Sequence, residues 1–372
     1  MPEWYQRRFL PTGKGEFFVL DKDPAKVVRC PDGKVRAVKK PRHVFPHGPS
    51  ALFQRENLYA VNFPKVRADL IERQLFGMID QRGAFANAMF CEWPQSNGMF
   101  FVPRGADVSQ KYGHPTHRMF DLVEFIDAQK TRTPKGIESI NLHLARAGHL
   151  APSNNILMAL LQRRRMLNCT VWAECIWEIF SAHDSTEKFL LSDDPVVVYN
   201  CDCYPMSSAC AYPNDPDPFW RGSRILWPLS RDCLLVLSHA EHVDEPSRLK
   251  ARKPRRNARS GDQVFISYTD VTNERKFDAE QVLLVNTVIK ARATRFVASA
   301  VREQLFPEER LTAPRWAEID SLFYPKHPTY HASRKMTVRY DDDTIMHSNA
   351  FGERRTVPGW FVRANRKESA DE

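Results

Sequence analysis

The segment KFLLSDDPVVVYN, residues 188 to 200, interrupts an apolar run with two acids and a proline. A buried strand tolerates an unpaired carboxylate poorly, and proline removes a donor from the strand ladder. Ser192, Asp193, Asp194 and Pro195 therefore predict a bend between two buried extended segments. The bend has two interpretations that the residues leave open. Its acids cap backbone donors, or a carboxylate projects into a cleft as a general base or metal ligand.

The composition is that of a folded globular protein. Hydrophobic residues make up 42% of the 372 residues, which is enough to bury a full core in one or two lobes. No apolar run reaches the roughly 18 residues of a membrane span, and Arg7 and Arg8 interrupt any signal-peptide pattern. We therefore expect a cytoplasmic protein that does not contact a membrane.

The order of patterns predicts an α+β fold, mostly helical, with a central mixed or antiparallel sheet and a small N-terminal β-meander. The meander is expected at residues 15–40, where short extended runs alternate with turns. The segments with helical spacing are 64–90 (with a break at Gly83), 117–129, 137–147, 156–180 and 278–301. The central sheet is expected to contain the SDDP run together with RILWPLS and CLLVLSHA, which Arg231 and Asp232 join as a hairpin.

Five segments, taken in order, resemble one protein family. They are PEWYQRRF (2–9), DAQKTRTP (127–134), FLLSDDPVVVYN (189–200), ILWPLSRDCLLVL (225–237) and VLLVNTVIKARATRFVAS (282–299). Together they resemble the domain of unknown function 4238 family, which is mainly bacterial. The resemblance implies one domain over residues 1–302, with a helical part at 64–180 and a sheet plus late helix at 186–302. It leaves 303–372 as a C-terminal extension, and it implies no activity.

The resemblance also implies a preferred acid and one departure. The family pattern has Ser-Asp, a variable residue and then Pro, so Asp193 rather than Asp194 is the candidate. The family start has a His-Tyr pair before the segment that PEWYQRRF resembles, whereas this sequence has Met1 there. Either the start of the sequence was placed inside the family motif, or this chain has lost the histidine. If the histidine is lost and is catalytic in the family, we expect this chain to be inactive.

Further candidate residues are predicted to lie near the bend. Gln129 and Arg132 are three positions apart on one helix face, and the planar guanidinium suits a phosphate, a carboxylate or an internal pair with Asp193. Glu72 and Asp80 are eight apart on one side of their predicted helix. With Asp193 they would form a carboxylate cluster for phosphodiester chemistry, or they are an ordinary solvated face. The candidate catalytic residues are therefore Asp193, Arg132, Gln129, Asp80 and Glu72.

The positive charge of the chain is concentrated in one segment. The formal net charge is +9, and RLKARKPRRNAR (248–259) has seven basic residues and no acid. They are Arg248, Lys250, Arg252, Lys253, Arg255, Arg256 and Arg259. Such a segment binds nucleic-acid phosphates or is a solvated loop, and both interpretations stay open. No aromatic residue lies within it, so the sequence indicates no platform for stacking single strands.

The remaining reactive residues give weaker signals. Cys201, Cys203 and Cys210 lack zinc-site spacing, and we expect them to be reduced thiols. His239 and His242 are expected at a polar strand end rather than on a metal. The sequence has no phosphate loop, nucleophile elbow or dinucleotide motif. No metal site is therefore predicted, and the sequence leaves any cofactor unknown.

Two functions fit these observations. The first is a protein that binds or acts on nucleic acid, or on a phosphate-bearing ligand, through an Asp/Arg/Gln pocket. The second is a non-catalytic binding protein in which the Asp–Arg pair is structural and the basic segment makes the contact.

Overall fold

The computed structural model describes most, but not all, of the chain. The described residues are 1–24, 27–29, 35–37, 43–49, 53, 76–92, 115–146, 148, 168–244, 251–255, 271–311, 316–324, 336–342, 344–348, 351–352 and 354–358. None of the helices in these ranges combines the length and the apolar character that a membrane span requires. The first part of the helix predicted at 64–90 and the first part of the helix predicted at 156–180 lie outside the described residues.

The described elements alternate between helices and short strands. The helices are α1 (Glu3–Arg7), α2 (Gly77–Glu92), α3 (Pro115–Thr131), α4 (Pro134–Arg146), α5 (Ala240–Asp244), α6 (Ala279–Arg292) and α7 (Trp316–Ser321). The strands are β1 (Phe17–Asp21), β2 (Val27–Arg29), β3 (Val35–Ala37), β4 (Val44–His47), β5 (Ile176–Ser181), β6 (Leu191–Ser192), β7 (Val197–Tyr199), β8 (Arg224–Ser230), β9 (Cys233–Ser238), β10 (Val271–Lys276), β11 (Phe296–Ser299), β12 (Met336–Arg339), β13 (Thr344–Ser348) and β14 (Arg354–Pro358). Short 3₁₀ helices cover Ser208–Cys210, Arg302–Leu305 and Pro307–Glu309.

Two sheets form the centre of the fold. The first is antiparallel, with strand order β4-β1-β11-β6, and the second has the order β10-β5-β9-β8-β7. The second sheet is mixed, because β10 runs parallel to β5 while every other pair of neighbouring strands in this sheet is antiparallel. The α+β class is confirmed, and so is the hairpin of β8 and β9 around Arg231 and Asp232.

The N-terminal strands divide between two sheets. As predicted, a small antiparallel sheet forms in this region, from β2 and β3. The first run of the expected meander does not join it, because β1 pairs with β11 and β4. Alternate residues of β1 face opposite sides, so Phe17 and Val19 enter one core and Leu20 enters another.

The SDDP bend is the place where the chain passes from one sheet to the other. Before it, β6 pairs with β11 in the four-stranded sheet, and after it, β7 pairs with β8 in the five-stranded sheet. The expectation that both flanking strands lie in one central sheet is therefore wrong. A carboxylate pair followed by proline cannot continue a ladder, and here the chain changes ladders instead.

The five-stranded sheet has an apolar core on each face. In β9, Leu235 and Leu237 belong to the first core, while Leu234 and Val236 belong to the second. This explains why CLLVLS is continuously apolar, since both faces of the strand are covered. Helices α1, α2 and α3 contribute to the first core, and α6 contributes to the second.

Two predicted helices extend too far along the sequence. Residues 168–173 are helical, but β5 begins at Ile176, within the helix predicted to reach residue 180. Helix α6 begins with a capping box between Asp278 and Gln281 and ends at Arg292, and β11 follows where helix was predicted to residue 301. The two strands, IWEIFS and FVAS, have apolar residues that suit either element, and pairing with β9 and β1 decides between them.

The sequence predicted a helix break at Gly83. In the structure, Gly83 is instead a point of close contact between two helices. It lies inside α2, where an added Cβ would come within 2.5 Å of the ring carbon Cγ of Phe125 on α3. The absence of a side chain at this position lets the two helices approach.

Gly83→Ala should therefore destabilise the protein, by about 1–3 kcal/mol, because the methyl group overpacks a filled interface. Gly15→Ala is the matched control, since an added Cβ at Gly15 meets nothing within 4 Å. The free energies of unfolding of both variants can be compared by urea denaturation. Equal stability of the two variants would contradict the assigned helix contact.

Candidate functional site

Asp193 binds the backbone of the turn between α6 and β11. Its Oδ1 accepts a hydrogen bond from the amide of Thr294 at 2.8 Å, and its Oδ2 accepts from the amides of Arg295 at 2.7 Å and Phe296 at 3.0 Å. Burial raises the pKa of Asp193, and the three backbone donors oppose that rise. These contacts agree with the capping interpretation of the bend.

Asp194, the next residue, binds two lysines instead of backbone amides. The Asp194 side chain is fully buried, and it accepts hydrogen bonds from Lys130 Nζ at 3.1 and 3.3 Å and from Lys135 Nζ at 2.6 Å. Both lysines also pair with Asp215, at 2.5 and 2.8 Å, and Arg292 pairs with Asp215 as well. We call these five residues the ion-pair cluster. It has three cations and two carboxylates.

The turn between α3 and α4 brings the two lysines to the same place. Lys130 lies in the last turn of α3 and Lys135 in the first turn of α4. Thr133 closes the connection, because its hydroxyl donates to the Lys130 carbonyl at 3.2 Å and accepts from the Gly136 amide at 2.9 Å. A Cβ on Gly136 would lie 2.5 Å from the Lys130 carbonyl oxygen, so the turn needs glycine there.

Arg292 connects the ion-pair cluster to residues 200–223, which we call the 200–223 loop. It lies in the last turn of α6. Its Nη1 donates to the Cys210 carbonyl at 2.9 Å, and its Nη2 donates to the Asn214 carbonyl at 2.6 Å. The position of Asp215 is therefore fixed by the same guanidinium with which it pairs.

The electrostatics of the ion-pair cluster follow from its burial. Lys130 and Asp215 each have 15% of the side chain exposed, whereas Lys135, Asp194 and Arg292 have 4% or less. Burial would raise the pKa of Asp194, but Lys130 and Lys135 hold it below its ordinary value. Burial lowers the pKa of Lys135 to about 8, against the opposing effect of Asp194 and with help from Lys130 and Arg292.

Arg132 pairs with an acid other than the predicted one. Its guanidinium donates to the two carboxylate oxygens of Asp80 at 2.9 and 2.5 Å, and its Cζ lies 4.9 Å from the ring centroid of Phe76. The predicted internal pair of Arg132 with Asp193 is therefore wrong. The end of α3 does reach the SDDP bend, but there Lys130 donates a hydrogen bond to Asp194.

The other candidate catalytic residues are not brought into one pocket by the described contacts. Gln129 is buried, and its amide nitrogen has no hydrogen-bond partner among the described residues. Glu72 lies outside the described residues. The ion-pair cluster instead contains four residues that the sequence did not single out as candidates. They are Lys130, Lys135, Asp215 and Arg292, of which the first two lie between the helices predicted at 117–129 and 137–147.

Part of the basic segment is described, and its backbone is fixed. The Ala251 carbonyl accepts from the Gly222 amide at 2.8 Å, and the Lys253 carbonyl accepts from the Arg221 amide at 3.0 Å. Arg248, Lys250, Arg256 and Arg259 lie outside the described residues.

Two arginines of the basic segment have opposite environments. Arg255 forms an ion pair with Glu174, and both side chains are almost fully buried, so this guanidinium is not placed to meet a phosphate. Arg252 is exposed, and its Cζ lies 4.8 Å from the ring centroid of Trp220 in the 200–223 loop. The aromatic residue that the basic segment lacks in sequence is thus supplied from another part of the chain.

The two histidines have structural partners. His239 is buried with its Nε2 3.0 Å from the Pro218 carbonyl oxygen, and burial lowers its pKa to about 3. His242 is buried with its Nε2 3.2 Å from Asp320, which also accepts from Arg224 at 2.7 Å. Within the described ranges, no three His, Cys, Asp or Glu residues are grouped to hold a metal ion.

No protein-family model, curated protein or solved structure matches the chain. The resemblance to the domain of unknown function 4238 family therefore stays a prediction.

The five segments that make up that resemblance contact one another. The Tyr5 hydroxyl in the first segment donates to the Pro228 carbonyl in the fourth at 2.5 Å. Asn286 in the fifth segment accepts from the amide of Leu190 in the third at 3.0 Å. Asp193 connects the third segment to the fifth, and Asp194 connects the third segment to the second. Because β7 in the third segment pairs with β8 in the fourth, the segments form one continuous framework around the bend.

Removing the charge of Asp194 should destabilise the protein strongly. Asp194→Asn leaves two buried lysines with one carboxylate fewer, and breaking one side of a buried ion pair costs about 3–5 kcal/mol. Asp184→Asn is the control, because Asp184 pairs with Lys276 on the surface and such pairs contribute about 0–1 kcal/mol. Urea denaturation measures both, and equal losses would contradict a structural role for the ion-pair cluster.

The lowered pKa of Lys135 predicts a pH dependence. Between pH 8 and 10.5 the unfolded chain keeps the lysine proton while the folded chain has lost it, so this residue makes stability rise with pH. We therefore compare the free energies of unfolding of the wild type and of Lys135→Met. The wild-type value minus the variant value should increase from pH 8 to 10.5, by up to about 3 kcal/mol. Unfolding curves at several pH values test it. A constant difference would show that Lys135 titrates normally.

Proposed function

We propose that the chain is a nucleic-acid-binding protein in which the SDDP bend is structural and the basic segment makes the contact. One observation supports this proposal over a catalytic site at the bend. The carboxylates of Asp193 and Asp194 are engaged by backbone amides and lysines of the fold, whereas Arg252 is exposed on Trp220.

A catalytic carboxylate needs an open side that a substrate can reach. Both oxygens of the partly exposed Asp193 carboxylate accept backbone hydrogen bonds, and Asp194 is completely buried, so neither carboxylate is free to act on a substrate. Arg132 is similarly engaged by Asp80. These contacts therefore argue against the reaction centre of Asp193, Arg132 and Gln129 that the sequence suggested. The proposed function calls for no particular cofactor.

The charge distribution favours an anionic polymer as the partner. The chain has 54 basic and 45 acidic residues, and seven of the basic residues lie in the twelve positions 248–259. Binding of such a segment to phosphates releases condensed counterions, which gives affinity without base contacts. A guanidinium stacked on an indole adds a flat surface on which an unpaired base stacks well. We therefore infer a preference for single strands over duplex.

Binding should weaken steeply with salt. Fluorescence anisotropy with a labelled single-stranded oligonucleotide gives the Kd at several salt concentrations, and the slope of log K against log salt is about −0.7 for each neutralised phosphate. Arg252→Ala/Lys253→Ala should weaken binding and make the slope smaller in magnitude by about 1.4, because two phosphate contacts are lost.

The matched control removes two positive charges elsewhere. Lys14→Ala/Lys276→Ala changes two exposed lysines outside the basic segment and should leave both the affinity and the slope nearly unchanged. A flat salt response of the wild type would overturn the proposal. An equal loss in both double variants would show that net charge, not the basic segment, determines binding.

A further inference from the structure

Two buried cysteines in the 200–223 loop lie in direct contact. The sulfur atoms of Cys203 and Cys210 are 3.2 Å apart, and both residues have less than 5% of their surface exposed. The Cys210 thiol also lies 3.0 Å from the Cys203 carbonyl oxygen. Neither residue belongs to an α-helix or a strand, and both are free thiols.

We propose that Cys203 and Cys210 are a modification site, a dithiol that is oxidised reversibly to a disulfide. The two sulfurs need to approach by about 1 Å to reach the disulfide bond length of about 2.05 Å. The residues between them form a short surface turn, in which Tyr204 and Met206 are exposed. Closing the bond therefore requires a local adjustment and no movement of either sheet.

The reaction balances with a low-molecular-weight disulfide such as glutathione disulfide as the oxidant. One cysteine thiolate attacks that disulfide, forms a mixed disulfide and releases one glutathione thiolate. The second cysteine thiolate then attacks the protein sulfur of the mixed disulfide and releases the second glutathione. The dithiol gives up two electrons and two protons, and both glutathione molecules leave as thiols.

The competing thiol in this region is Cys201. It lies two residues before Cys203 and is more exposed than either partner, and its sulfur lies 4.0 Å from the Asp202 carboxylate. Burial raises the pKa values of Cys201 and Cys210 to about 11, so few thiolates are present at neutral pH and oxidation is faster in mildly alkaline buffer. The geometry favours Cys203 as the partner of Cys210 because those two sulfurs already touch.

The dithiol is joined to the ion-pair cluster. The Cys210 carbonyl accepts from Arg292, and the same guanidinium holds Asn214 and Asp215. A disulfide would restrict the loop that supplies Asp215, so oxidation should stabilise the folded protein. This inference is independent of nucleic-acid binding, because neither cysteine lies in the basic segment.

Mass spectrometry of one peptide tests the pairing. Trypsin releases residues 189–221, which contain Cys201, Cys203 and Cys210, and Met206 lies between the last two. The full-length protein is oxidised with glutathione disulfide, unfolded, alkylated with N-ethylmaleimide, and digested with trypsin and then with cyanogen bromide. Peroxide is avoided because Met206 is 74% exposed and its sulfoxide resists cyanogen bromide.

In the Cys201→Ser variant, the expected peptide is about 2 Da lighter than the reduced form and carries no label. Its two cyanogen bromide fragments should stay joined until a reducing agent is added. The Tm of the oxidised protein should exceed that of the reduced protein by about 3 °C, because the bridge closes a short loop in the unfolded chain.

Cys203→Ser and Cys210→Ser should each lose the bridge and the Tm difference, whereas Cys175→Ser, which changes another buried cysteine, should keep both. Labels on both Cys203 and Cys210 after oxidation would overturn the proposal. A bridge from Cys201 to Cys210 in the wild type would overturn it as well.

Discussion

The arrangement of this fold depends on two adjacent carboxylates that bind different parts of the chain. Asp193 holds the backbone of the turn before β11, and Asp194 holds the lysines of the turn between α3 and α4. Buried charges are stable only when they are paired, so these contacts fix the relative positions of both turns and of the two sheets joined at the bend. Apolar residues of similar volume often stabilise a core equally well. We infer that the ion-pair cluster specifies the arrangement more than it adds to stability.

The class of the fold could be predicted from the sequence because apolar periodicity is local. The hairpin of β8 and β9 and the helices α3 and α4 follow from spacing and turn residues alone. What spacing could not decide was the partner of each strand. IWEIFS and FVAS continue the apolar pattern of a preceding helix, and they are β5 and β11 because they pair with β9 and β1. Tertiary pairing of this kind leaves no mark in the strand's own residues.

The predicted site residues met partners other than those the sequence suggested. The bend and the end of α3 do meet, as their motifs indicated. Arg132 was preferred for its planar guanidinium, but α2 brings Asp80 to it, and Lys130 is left to face Asp194. Asp215 lies in a loop without periodicity, so no sequence pattern predicted that it would belong to the ion-pair cluster. Residues in irregular segments acquire such roles only through the three-dimensional path of the chain.

The pair of Arg224 and Asp320 has a consequence for the end of the chain. Arg224 begins β8 and is fully buried, and its carboxylate partner lies on α7, beyond the expected domain boundary at residue 302. Leu305, Ile319 and Phe323 from the same region complete the second core. A shortened chain ending at that boundary would leave the buried Arg224 guanidinium without its ion-pair partner Asp320. The described residues 303–311 and 316–324 therefore contribute to the folded core and are not a detachable tail.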